Sequence, residues 1–110
     1  MDDRLRREVN LLHAGICQAL ADPNRILILY ALAESPKLVN ELGEFLDAPQ
    51  STVSRHLKVL RDRQLVSTER VGTAVRYSLT DARVIDALDT MRAVLGDALD
   101  RQARIARSLT

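Results

Sequence analysis

The chain has 110 residues, of which 46% are apolar, 28% charged and 3% aromatic, and its formal net charge is +1. That length suits a single domain, residues 1–110, with one small core built from Leu, Ile, Val and Ala, a composition that favours packed helices. No apolar run approaches the ~20 residues that span a bilayer. Met1-Asp2-Asp3-Arg4 is too charged to begin a signal peptide, and the lone Cys17 excludes an intrachain disulfide, so the expected location is cytoplasmic.

Asp2 or Asp3 opens a first helix in which Leu5, Val9, Leu12, Ile16 and Ala19 or Leu20 step by four and three. It is expected to stop near Asp22, before Pro23, which instead starts a second helix. That helix is dense in apolar residues from Ile26 to Leu32 and reads as the most buried; Ser35-Pro36 ends it. Leu38, Leu42, Phe45 and Leu46 mark a short third helix, and Asp47-Ala48-Pro49 is a tight connector. In the fourth helix, from Gln50, the residues Val53, Leu57 and Leu60 share one face, while Ser51, Arg55 and Lys58 point the other way. A pair of short helices with a connector of about three residues, the second basic on its outer face, is the layout of a helix-turn-helix. We place it at residues 38–63. The competing reading of the fourth helix is a solvated amphipathic surface.

After Gln64 the period changes. Leu65 to Val71 and Ala74 to Leu79 are β-rich and partly alternating, with Gly72-Thr73 as a turn signal. This hairpin, residues 65–79, reads as a wing, although a plain ribbon covering the core has the same pattern. Thr80-Asp81 then caps a long last helix, in which Val84, Leu88, Met91, Leu95, Ala98, Gln102, Ile105 and Leu109 step by four and three. That stripe exceeds what one small domain covers, so residues 1–20 and 81–109 are expected to pack against a second copy in a homodimer. The fold class is therefore mainly α with a small β-hairpin: four helices, a two-stranded wing and a fifth helix.

Charge is unevenly placed. In residues 50–77 six cations (Arg55, Lys58, Arg61, Arg63, Arg70, Arg76) face two acids (Asp62, Glu69), giving +4, whereas residues 31–49 carry −3. A local positive excess over the fourth helix and hairpin is an anion-binding footprint, and duplex DNA is the expected partner. Phosphate contacts are expected from Lys58, Arg61, Arg63, Arg70 and Arg76. Two histidines, one cysteine and scattered acids make no spacing that reads as a nucleophile–base pair or a phosphate loop, so the chain does not read as an enzyme.

Specific words of the sequence carry a resemblance. Residues 19–29 (ALADPNRILIL), residues 50–60 (QSTVSRHLKVL) and Leu65-Val66 resemble the ArsR/SmtB family of winged-helix transcriptional regulators, over nearly the whole chain. A fainter similarity is to streptomycete nickel-responsive regulators. The resemblance implies a dimer that binds an imperfect inverted repeat at a promoter, usually as a repressor, and an inducer, often a metal ion, that releases it. It also implies DNA-reading positions at Gln50, Ser51, Thr52, Ser54, Arg55 and His56, with Arg70 and Arg76 on the wing. Pro49 departs from the family's usual Ser cap, so either Ser51 caps instead, which leaves its hydroxyl less free to touch DNA, or Pro49 occupies the first turn. His56 points nearer the apolar face than Arg55 does, and packing or a phosphate-facing role is as open to it as base reading.

Neither family metal site survives in this chain. Leu38 and Asn40 stand where one site has its cysteines, and of the other only Asp86 is kept, with Leu88, Leu99 and Gln102 in the remaining places. His13 and Cys17, four apart on the first helix, suit Ni²⁺, Co²⁺ or Zn²⁺ if a carboxylate such as Asp86, Asp89, Asp97 or Asp100 of either protomer joins them. The alternatives are a structural role for both residues, a thiol-responsive regulator without metal, and a winged-helix protein-interaction module that has lost DNA.

Overall fold

The computed structural model describes residues 2–110. Asp2 caps α1 (Asp3–Leu12) by accepting from the Arg4 amide at 3.0 Å. The helix then widens into a π turn over His13–Cys17 and ends at Ala19, a few residues before the expected stop. Asp22 caps the next helix instead: its carboxylate accepts from the Asn24 amide at 2.8 Å, and Pro23 occupies the first turn of α2 (Pro23–Glu34). Ile28, Leu29, Ala31 and Leu32 are its buried residues.

A two-residue strand, β1 (Lys37–Leu38), comes next and was not expected. It is too short to show a period and exists because the edge of a later strand offers it partners. In α3 (Val39–Leu46) the Glu41 carboxylate accepts from the Leu38 amide at 2.9 Å and closes the first turn. The helix ends with Asp47 in the left-handed region (φ 51°), the Ala48 amide donating to the Gly43 carbonyl at 3.0 Å. A Cβ on Gly43 would lie 3.2 Å from the Ala48 carbonyl oxygen, so a side chain there would push the turn back by a few tenths of an ångström.

Pro49 precedes α4 (Gln50–Asp62) as its cap residue rather than as part of the first turn. It has no side-chain acceptor, but its carbonyl takes the Thr52 and Val53 amides at 3.0 and 3.1 Å. Ser51 supplies no cap bond, which leaves its exposed hydroxyl available. At the far end Gln64 (φ 63°) adopts the left-handed conformation, the Leu65 amide donates to the Leu60 carbonyl at 2.9 Å, and the Gln64 amide donates to the Arg61 carbonyl at 2.9 Å. This paired reversal turns the chain into β2 (Val66–Val71).

Gly72, with φ 63°, makes the tight turn to β3 (Ala74–Leu79), and the sheet order is β1-β3-β2, antiparallel throughout. Ahead of α5 (Arg83–Ser108) the Asp81 carboxylate accepts from the Arg83 amide at 2.9 Å. The cap expected at Thr80-Asp81 is therefore Asp81, acting from one residue further out than a standard cap.

Ile28, Leu29, Leu42, Val53, Leu57 and Leu60 form the fully buried centre, and Leu88 brings in the start of α5. Beyond Leu88 the apolar stripe of α5 is bare: Met91, Leu95 and Leu99 are each more than half exposed. No residue of α1 is buried, and Leu5, Val9 and Leu12 are about half exposed. The radius of gyration is 17.4 Å, against about 13 Å for a compact chain of this length. Two long helices project from a small core, each with an apolar face uncovered.

Candidate nucleic-acid interface

On α4 the buried residues are Val53, His56, Leu57 and Leu60. At about 100° per residue they occupy one sector, and Ser51, Arg55 and Lys58 lie opposite it. All three are exposed, as are Gln50 and Ser54; Thr52 is half-buried at the edge. The amphipathic split holds at every expected reading position except one. His56 is 5% exposed. It sits three residues after Val53 and four before Leu60, inside the apolar sector, and this corrects its placement among base-reading residues. Its ring faces inward, with Nδ1 3.5 Å from Arg25 Nη1.

The basic excess divides into two kinds of cation. Lys58 is 2.9 Å from the Asp62 carboxylate one turn along α4, and Arg76 is 3.2 Å from that of Glu69 across the hairpin. These exposed pairs contribute at most about 1 kcal/mol each and give way readily to a phosphate. Among the described residues no carboxylate pairs with Arg55, Arg61, Arg63 or Arg70. The two acids of the segment thus hold two of its six cations and leave four unpaired.

The two wing arginines are not equivalent. Register places Glu69 opposite Arg76 and Arg70 opposite Val75, so they project from opposite faces of the ribbon. Arg76 Nε is buried without a partner, and its guanidinium is occupied by Glu69. Arg70 is exposed and unpaired, the better placed of the two for a phosphate.

His13 and Cys17 stand at the two ends of the π turn and are exposed. Among the described residues no three His, Cys, Asp or Glu side chains cluster as a metal site. Of the carboxylates considered with them, Asp89 is taken by the Tyr30 hydroxyl, which donates to it at 2.6 Å, and by Arg92 at 3.4 Å. That hydrogen bond to Asp89 raises the Tyr30 pKa. Asp86, Asp97 and Asp100 are exposed. Cys17 also borders an open apolar cavity of about 420 Å³ with Leu20, Ile26, Leu88, Met91, Arg92 and Leu95. Among the described residues no helix is long and apolar enough to cross a membrane.

A helix-turn-helix with a basic exposed second helix, followed by a hairpin and a long terminal helix, is the architecture of a winged helix-turn-helix domain. The profile of bacterial regulatory proteins of the arsR family matches residues 22–68, which run from the cap of α2 into β2. The chain is 43% identical over 76 residues to the HTH-type transcriptional regulator NmtR of Mycobacterium tuberculosis, covering 69% of this chain and 63% of that protein. It is 36% identical over 87 residues to the nodulation protein NolR of Rhizobium meliloti, covering 79% of this chain and 71% of that one. A solution structure described as a homodimeric winged helix-turn-helix DNA-binding domain from Mycobacterium bovis superposes with a TM-score of 0.77 at 25% identity, over 92% of this chain and 93% of that one. The chain belongs to the ArsR family, whose members are transcriptional regulators and not enzymes.

Proposed function

We propose that the chain acts in the cytoplasm as a homodimer that binds an inverted-repeat operator in duplex DNA and represses the adjacent promoter. Each α4 enters a major groove, with half-sites about one helical turn apart. Gln50, Ser51, Thr52, Ser54 and Arg55 face the bases, and Arg61, Arg63, Arg70 and Lys58 face phosphates. The single observation that carries this reading is the split of α4: its reading face is exposed and cationic while its other face is the centre of the core. The bare apolar stripes of α1 and α5 support the dimer, because exposed apolar surface on this scale marks an association site. In the experiment that tests the function, DNA selected by the protein from a randomised duplex library yields an inverted repeat. Arg55→Ala then loses binding to it while sedimentation still reports a dimer. Selection of no common sequence, or full binding by Arg55→Ala, sinks the reading.

A divalent metal, Ni²⁺ or Zn²⁺, is a second reading, favoured by one observation: His13 and Cys17 are exposed one turn apart beside the uncovered apolar surface. Two donors are too few, so a carboxylate from the second protomer is required. Calorimetric titration checks it, since His13→Ala and Cys17→Ser must each weaken binding greatly.

A further inference from the structure

Arg25 lies in the sequence word at residues 19–25 and takes no part in the interface described above. Its side chain is 16% exposed. Nε donates to the Ala19 carbonyl at 2.7 Å and Nη2 to the Gln18 carbonyl at 3.1 Å. These are carbonyls of the last helical residues before the chain turns into α2, where intrahelical donors run out. Nη1 lies 3.9 Å from the Asp22 carboxylate and 3.5 Å from His56 Nδ1 on α4. A guanidinium only donates, so in this contact Nδ1 is the atom placed to accept. One planar, rigid group thus spans the end of the first helix, the cap of α2 and the buried side of the DNA-facing helix. Ala19 itself is fully buried, and Asp22 caps α2 with one carboxylate oxygen while the other faces Arg25.

We propose that Arg25 is a positioning residue that couples the end of the first helix to the orientation of α4. A displacement of the Gln18 and Ala19 carbonyls moves the guanidinium, and with it His56, the neighbour of Arg55. The effect is reciprocal: DNA that fixes α4 also steadies the end of the first helix. The proposal rests on α4 being the DNA-facing helix.

A double-mutant cycle tests it, read as affinity for the library-selected duplex by fluorescence anisotropy. Arg25→Lys keeps the charge but not the three-way fork, and His56→Leu keeps bulk but not the acceptor. Each is expected to weaken binding about tenfold, and the double variant no more than either alone. His56→Asn, which restores an acceptor near Nδ1, recovers most of the loss. Hydrogen exchange supplies a measurement that needs no folded variant: DNA slows exchange of the amides of residues 16–22 in the unsubstituted protein. Additive losses, no loss in the single variants, a His56→Asn that behaves as His56→Leu, or exchange at residues 16–22 indifferent to DNA overturns the coupling. Full binding by Arg55→Ala overturns instead the DNA-facing role of α4, so the two failures are told apart.

Discussion

Four cations per protomer assigned to phosphate, Arg61, Arg63, Arg70 and, once its exposed pair with Asp62 gives way, Lys58, set the expected salt dependence of DNA binding. Two protomers then neutralise about eight phosphates, and log affinity falls with log salt at a slope of about −7. Raising salt from about 50 to about 200 mM costs about 10⁴-fold in affinity on that slope. The wing offers perturbations of opposite sign. Arg70→Ala removes one contact from each protomer and should flatten the slope to about −5. Glu69→Gln releases Arg76 from its 3.2 Å ion pair and should steepen the slope to about −9, with tighter binding at low salt. The assay is fluorescence anisotropy of a labelled duplex over a salt series. A slope near zero, or Arg70→Ala and Glu69→Gln shifting it in the same direction, refutes the assignment of these cations to phosphate.

Leu99→Glu introduces a charge on the exposed apolar stripe of α5 and leaves the core untouched, so sedimentation should report a well-folded monomer where the unsubstituted chain is a dimer. Gln64→Gly removes the cost of a side chain at φ 63° and should stabilise the fold by about 0.5–1 kcal/mol in urea unfolding. Arg83, through its side chain and then its amide, holds the Asp81 carboxyl at a pKa of about 2, below the usual carboxylate range. The folded-state value is depressed, so the cap's contribution is complete above the unfolded carboxyl's pKa and fades as pH falls toward about 2. NMR titration of Asp81 should show that low midpoint, and Arg83→Ala should return it toward normal. Tyr30→Phe deletes the hydroxyl that donates to Asp89 at 2.6 Å and should cost about 1 kcal/mol in thermal unfolding.

What the sequence makes legible is what repeats. The spacing of Val53, Leu57 and Leu60 gives α4 its buried side and, by subtraction, its exposed basic face. The β-branched runs around Gly72-Thr73 give the hairpin within one residue of its observed bounds. The last helix announces a surplus of apolar surface, and the structure leaves that surplus uncovered from Met91 onward. Features that do not repeat were hidden. The π turn keeps His13 and Cys17 near one face, so an ordinary helical wheel does not reveal it. The left-handed residues Asp47 and Gln64 end α3 and α4 without the glycine that usually signals such an ending. The two-residue β1 has no pattern at all.

The charged residues show the same division more sharply. Counting gives the +4 excess of residues 50–77 but not which cations are held. That depends on a register in which Glu69 meets Arg76 rather than Arg70. Arg25 is the extreme case: a single arginine at the start of an apolar helix reads as a solvated edge. Only the meeting of α2 with the end of the first helix and the inner side of α4 places its guanidinium among two carbonyls, a carboxylate and an imidazole. The word at residues 19–25 therefore has a physical reading beyond its use as a family marker. Ala19 is fully buried and offers its carbonyl to Arg25, Asp22 and Pro23 start a helix, and Arg25 ties that start to α4.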